Sequence, residues 1–252
     1  MAIRLLGRSV RRYIAVSDFI RREWIEAGIP AGRIDVVHNG VRPERYPMAS
    51  AEERRLRRDQ LGIGAESRVF LHYGRLTTEK GVLSLIHAWQ QADLDDNWLL
   101  VLAGDLDADI SRALAANTDL TIRVLPRTAE VSDLLDVADV TVLPALWEEP
   151  FGRVVIESMA AGVPVIASRR GGIPEILDGP WRRFLVEPNE PGSLLRAIKA
   201  VGDWRASEPE LGLAASRLVT EQFNLNQTVD GVESILASVV GEHTTGGPLT
   251  FA

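Results

Sequence analysis

The 252-residue sequence predicts an α/β protein whose main body is a doubly wound parallel sheet, preceded by a partial strand-helix-strand unit. Two observations carry this. From residue 68 onward, short apolar runs alternate with segments of helical period. Several of those runs, such as "VTVL" and "VPVIA", are apolar without alternation, as strands covered on both faces must be. Strict alternation of strand and helix implies right-handed crossovers, the pattern of a Rossmann-like domain.

The elements follow in order. "RRYIAVS" reads as a short strand ending at Ser17, an N-cap for the helical pattern "DFIRREWIEAG" that stops at Gly28. "RIDVVHNG" reads as a second strand closed by an Asn-Gly turn. From Val41 to Ser67 regular period is lost, with Pro43, Pro47 and the charged run "EERRLRRDQ", so a linker with a short helix is expected. "RVFLHYG", "WLLVLAG", "LTIRVLP", "DVTVLPA" and "VPVIASRR" are then strands, and "GVLSLIHAWQQA", "ISRALAA", "VSDLLDVA" and "GRVVIESMAAG" the helices between them. The expected organisation is residues 1–45 as the end of a first domain and 46–67 as linker. Residues 68–222 would be a ligand-binding domain, 223–240 a C-terminal helix and 241–252 a flexible tail.

Composition narrows the function classes. Without cysteine there are no disulfides, thiolate metal sites or cysteine nucleophiles, which suits a reducing compartment. No apolar run reaches the ~18 residues that span a membrane, and Arg8, Arg11 and Arg12 interrupt what a secretory leader would need. A cytoplasmic protein is expected. Residues 1–75 carry 15 Lys+Arg against 9 Asp+Glu, whereas the whole chain has a net charge of −7. A basic start of this kind suits a solvated helix face, or a weak peripheral contact with anionic lipid or an acidic partner. Nucleic acid is not expected, because the basic residues are not interleaved with aromatics or glycines.

The stretch "EEPFGRVVIES" places Glu149 and Glu157 eight positions apart, across a turn and a helix start. Were all of it helical, the two backbones would stand ~12 Å apart. That exceeds the ~5 to 9.5 Å between the carboxyl groups of a glycosidase pair. The acids are therefore expected to hold opposite ends of an elongated ligand. Phe151, Gly152 and Arg153 would present backbone N–H groups at the helix N-terminus, a seat for phosphate. The competing reading makes Glu157 a solvated helix residue and Glu149 a first-turn acid complementing the helix dipole.

A second cluster lies in "YGRLTTEKGV", where Arg75 and Lys80 flank a loop at the carboxyl end of the first strand of the domain, the edge at which such sheets bind ligands. Lys80 is one of only two lysines in the chain, with Lys199. A guanidinium and an ammonium together suit a diphosphate.

These segments, with "IAVSDFIRREWIEAGIPAGRIDVVHNGV" and "LPALWEEPFGRVVIESMAAGVPVIASRRGGIPEIL", resemble the retaining nucleotide-sugar glycosyltransferases of family 4, which have the GT-B fold. The resemblance runs from about residue 12 to 240. It implies that Arg75 and Lys80 bind the donor diphosphate, Glu149 a hydroxyl of the donor sugar and Glu157 the ribose. It implies too that the backbone of Phe151, Gly152 and Arg153, the loop at Gly171 and Gly172, and Arg127 near the base border the donor. The donor expected is a UDP- or GDP-sugar, with no metal or other cofactor. Sugar would pass to an acceptor with retention of anomeric configuration. Family members carry two Rossmann-like domains, so residues 1–45 resemble only the end of the first. The acceptor, a sugar, lipid or other small molecule, would then be held mainly by a domain not present here. Residues 1–45 would meet a partner chain or a second copy. The alternative is a nucleotide-sugar-binding module without transfer activity of its own.

Some features depart from that pattern or mimic another. Pro126 stands where the family commonly has glycine, and "DGPWRRFLVEP" lacks the glycine expected before its strand. Asp105, Asp107 and Asp109 alternate like the start of an EF-hand loop, but Ile110 occupies the glycine position. His38, His72, His87 and His243 lie beside no convincing nucleophile and read as structural.

Overall fold

The structure is a computed structural model that describes residues 10–116, 121–188, 190 and 192–245. The part of the expected tail beyond residue 245 lies outside the described residues.

The N-terminal unit is a two-stranded parallel sheet, β1 (Tyr13–Ala15) and β2 (Ile34–Val36), joined by helix α1 (Asp18–Glu26). Ser17 caps α1 as expected, its hydroxyl accepting the Ile20 N–H at 3.1 Å. The Asn39-Gly40 turn expected after β2 does not form. Instead the chain runs on to bridge Val41 to Asn224, with Val41 N–H donating to Phe223 O at 2.9 Å. Tertiary pairing wins over the local turn preference.

Residues 46–67 were expected to be a linker with a short helix. The helix forms as α2 (Ala51–Gln60), opened by a Ser50/Glu53 capping box, and it packs on the helix Val131–Val137 of the main body. Its anchor is Arg58, 3% exposed, which donates to Val137 O, Ala65 O, Ser67 O and Asp139 Oδ2. Asp139 also accepts from Arg54, Arg205 and the Val69 N–H. A buried guanidinium persists when its donors are satisfied in this way.

The main body is a six-stranded parallel sheet. In chain order its strands are β3 (Arg68–Tyr73), β4 (Trp98–Ala103), β5 (Ile122–Leu125), β6 (Val140–Leu143), β7 (Val165–Ser168) and β8 (Leu185–Val186). Their spatial order is β5-β4-β3-β6-β7-β8. The order reverses between β3 and β6, the place where such sheets bind ligands. One face of the sheet packs through Phe70, Leu100, Leu102 and Val142, the other through Val69, Leu71, Val101 and Ala103. This is why the strand sequences read as unbroken apolar runs. The segment lacking a glycine before β8 forms a 3-10 helix, Gly179–Phe184, that buries Trp181 and Phe184. The described residues end with α10 (Leu211–Gln222) and α11 (Leu225–Thr245), the latter running past the expected end at 240.

Candidate functional site

The loops after β3 and β6 meet at the reversal point. Gly81, φ +76°, brings the end of the β3 loop against Pro144, whose carbonyl oxygen a Cβ would overlap. This sets Lys80 beside Glu149: Nζ lies 2.6 Å from Oε1 and 3.2 Å from Oε2. Lys80 Nζ also stands 4.3 Å from the centroid of the Trp147 ring. Glu149 is 8% exposed, so it is not a solvated acid complementing a dipole. Its backbone is clamped in turn by the Gly-Gly loop. The Gly172 N–H donates to Glu149 O at 2.8 Å, and at Gly171, φ +57°, a Cβ would overlap that same oxygen. The neighbouring Glu148 accepts from Arg170 at 2.8 Å and from the Gly171 N–H at 2.6 Å.

After Pro150 the chain turns at Gly152 into helix α6 (Arg153–Ala160), which starts with no side-chain cap. First-turn amides left without a cap are anion-binding groups. Phe151 is 2% exposed, packed between His38 and Phe223, so only its backbone can face a ligand.

Glu157, in the second turn of α6, is also buried at 8% exposure. Arg153 donates to its Oε1 at 2.9 Å and the Tyr73 hydroxyl to its Oε2 at 3.2 Å. Burial first, and the Glu157 charge second, raise the Tyr73 pKa well above its ordinary value. The Tyr46 pKa is raised too, by burial and then by the same carboxylate. Both phenols therefore stay protonated donors. Neither tyrosine was singled out from the sequence, although Tyr73 directly precedes the Gly74-Arg75 pair.

Arg75 and Arg127 are not in contact with this cluster. Arg75 is exposed and pairs with Glu79 at 3.0 Å, and Arg127 is exposed, 3.5 Å from Asp105, beyond β5. The alternating aspartates have a local explanation in Asp107, which caps helix Ala108–Ala115 by accepting the Ile110 N–H at 2.8 Å. No group of acids and histidines among the described residues could hold a metal ion.

The N-terminal unit reaches the site directly. The Ser17 hydroxyl donates to Pro150 O at 2.6 Å. Glu175, just after the Gly-Gly loop, accepts the Asp18 and Phe19 N–H groups at 2.8 and 2.7 Å and lies 3.2 Å from His38 Nε2. Burial alone would raise the Glu175 pKa, but these hydrogen bonds outweigh it and lower the value. His38 is thus structural, as is His72, whose Nδ1 lies 2.8 Å from Val142 O in the core.

Comparison with known proteins gives a consistent set of likenesses. The family described as glycosyl transferases group 1 matches residues 53–209, and the one described as glycosyltransferase family 4 matches residues 1–45. The chain is 31% identical to a lipopolysaccharide 1,2-N-acetylglucosaminetransferase of Salmonella typhimurium, over 76% of this chain and 53% of that one. It is 28% identical to an N-acetyl-alpha-D-glucosaminyl L-malate synthase of Bacillus anthracis, over 92% of this chain and 61% of that one. The chain thus spans only about half to three-fifths of the length of these relatives. Among solved structures, Anabaena HepE in complex with UDP and glucose superposes with a TM-score of 0.84 at 26% identity, covering 94% of this chain and 66% of that one.

Proposed function

Because the chain belongs to the glycosyl transferases of group 1, we propose that it is the donor-binding half of a retaining glycosyltransferase of family 4, acting on a UDP-sugar. The observation that supports this most is the convergence of Lys80, Glu149, the uncapped start of α6 and Glu157 on the carboxyl edge of β3 and β6. A neighbour of the same fold holds UDP and glucose. In this reading Glu157 takes the ribose hydroxyls, the α6 amides and Lys80 the diphosphate, with Arg75 swinging in from solvent. Glu149 takes a hydroxyl of the sugar, beside Gly171 and Gly172. Arg127 borders the base.

As the bond from the anomeric carbon to the diphosphate breaks, negative charge grows on the leaving oxygens. Lys80 and the helix start would stabilise it, and no metal is assigned to the step. Lys80 would pass from Glu149 to the diphosphate when donor binds, freeing the Glu149 carboxylate for the sugar. The acceptor would be held mainly by a second Rossmann-like domain or a partner chain that completes the β1–β2 sheet, whose described strands pair only with each other. None of the described helices is long and apolar enough to cross a membrane, and a cytoplasmic site of action is proposed.

The test is calorimetry of UDP and a panel of UDP-sugars, in buffer containing EDTA. UDP is expected to bind. Glu157→Ala should weaken UDP and UDP-sugar alike by roughly ten- to a hundredfold, the worth of a charge-assisted hydrogen bond. Glu149→Ala should not weaken UDP and should weaken only the productive UDP-sugar. Parent-like binding of both ligands by both variants would overturn the donor-clamp reading.

A further inference from the structure

We propose that a groove beside the donor site, between the turn Pro43–Arg45 and the first residues of α6 and α11, binds a phosphate monoester as a ligand separate from the donor. The groove encloses about 490 Å³, and its charged lining is three arginines, Arg42, Arg45 and Arg153, with no acid. Two of the three belong to the basic first 75 residues of a chain whose net charge is −7.

The sequence builds it locally. Pro43 opens one turn of 3-10 helix in "VRPERY", closed by the Arg45 N–H on Arg42 O at 3.0 Å. In a 3-10 turn the side chains at i and i+3 eclipse, so Arg42 and Arg45 leave on the same side. Like charges so placed repel. Neither guanidinium has an ion pair or side-chain hydrogen bond with another described residue.

The third arginine adds to the imbalance. Arg153 is the first residue of α6, where the positive end of the helix disfavours a cation. Its guanidinium reaches Glu157, and the residue also lines the groove. One anion seated among the three would relieve both the mutual repulsion and the dipole mismatch. Forked guanidinium donors match phosphate oxygens in particular.

The rest of the groove fits an ester better than a bare ion. A volume of 490 Å³ leaves room for a sugar-sized group beside the phosphate. Asn39 and Thr228 supply neutral polar contacts on its wall. The Thr228 hydroxyl donates to His38 O at 2.9 Å, which leaves its lone pairs to accept. The walls are held together by the Val41 N–H on Phe223 O at 2.9 Å and the Leu225 N–H on Val41 O at 2.8 Å, so the site is largely preformed. Arg75, Lys80 and Glu149 do not line it, so the two sites share only Arg153, which lines the groove and pairs with Glu157.

The probes are inorganic phosphate and glucose 6-phosphate, titrated by calorimetry in phosphate-free buffer with and without saturating UDP, and vesicles containing phosphatidic acid, assayed by sedimentation. Glucose 6-phosphate should bind more tightly than inorganic phosphate, and UDP should not displace it. Arg42→Ala/Arg45→Ala should lower its affinity at least roughly tenfold and leave UDP affinity and Tm unchanged. The corresponding double lysine variant, keeping charge but losing the forks, should fall between. Sedimentation that depends on Arg42 and Arg45, without binding of the soluble probes, would assign the phosphate to a lipid headgroup. The proposal fails if no probe binds the parent, if the double alanine variant binds like the parent, or if UDP competes the ester away. Failure of UDP to bind while glucose 6-phosphate binds would sink the donor reading and leave the groove standing.

Discussion

Lys80 Nζ rests 2.6 Å from Glu149 Oε1, and neither side chain exposes more than 15% of its surface. Removing one member of such a pair strands the other charge in a poorly solvated place. Lys80→Ala should therefore destabilise the protein by about 3 kcal/mol or more in urea unfolding. Lys80→Ala/Glu149→Ala should recover much of that loss. If the single and double variants were equally unstable, the pair would not be coupled.

Tyr73 gives Glu157 a hydrogen bond from below the site. Tyr73→Phe keeps the ring and removes only that donor, so UDP affinity should fall by roughly two- to tenfold, about 0.5 to 1.5 kcal/mol. The ratio of affinities for UDP and 2′-deoxy-UDP should narrow, because the carboxylate proposed to read the ribose is less firmly held. An unchanged ratio would mean that Tyr73 merely fills space.

His72 is buried, and burial lowers its pKa from 6.5 to about 4. Between those values the unfolded chain binds a proton that the folded one does not. The stability from keeping this ring neutral is complete above pH 6.5 and drains away as pH falls toward 4. The loss should be about 2 to 3 kcal/mol. Urea unfolding at pH 7 and 4.5 should show that loss in the parent and a smaller one in His72→Leu. Parallel losses would place the acid sensitivity elsewhere.

Glu175 closes the N-terminus of α1 from 157 positions away. Its depressed pKa means that this docking is complete above pH 4.5, the ordinary value, and is lost as pH falls through the lower folded value. Glu175→Ala should speed hydrogen exchange at the Asp18 and Phe19 amides roughly ten- to a hundredfold. Parent-like protection there would show that the carboxylate does not hold the helix.

What could be read in advance follows the range of the forces involved. The strands, the Ser17 cap and the α1 stop at Gly28 depend on neighbours in sequence, and they stand where the pattern put them. That the loops carrying Lys80 and Glu149 share the carboxyl edge of the sheet was legible because parallel topology brings those strand ends together. That the two side chains touch each other was not. Arg58 was equally hidden. It sits in a run of charges that reads as solvent-facing, and its burial is made tolerable by Asp139, 81 positions on, together with the Val137, Ala65 and Ser67 carbonyls. Tyr73 looked like the end of a strand. Its hydroxyl acquires meaning only from Glu157 on a helix that the strand could not announce.

The Asp139 carboxylate gathers Arg54 and Arg58 from before the sheet, the Val69 amide from its first strand and Arg205 from beyond its last. During synthesis these donors leave the ribosome at widely separated times. A nascent chain that has not yet exposed residue 205 must carry this acid with part of its shell missing. Final consolidation of the domain is thus tied to the emergence of its C-terminal third, and stalled chains in which Arg205 is still within the ribosomal exit tunnel should be cleaved faster by protease than those long enough for it to have cleared the tunnel.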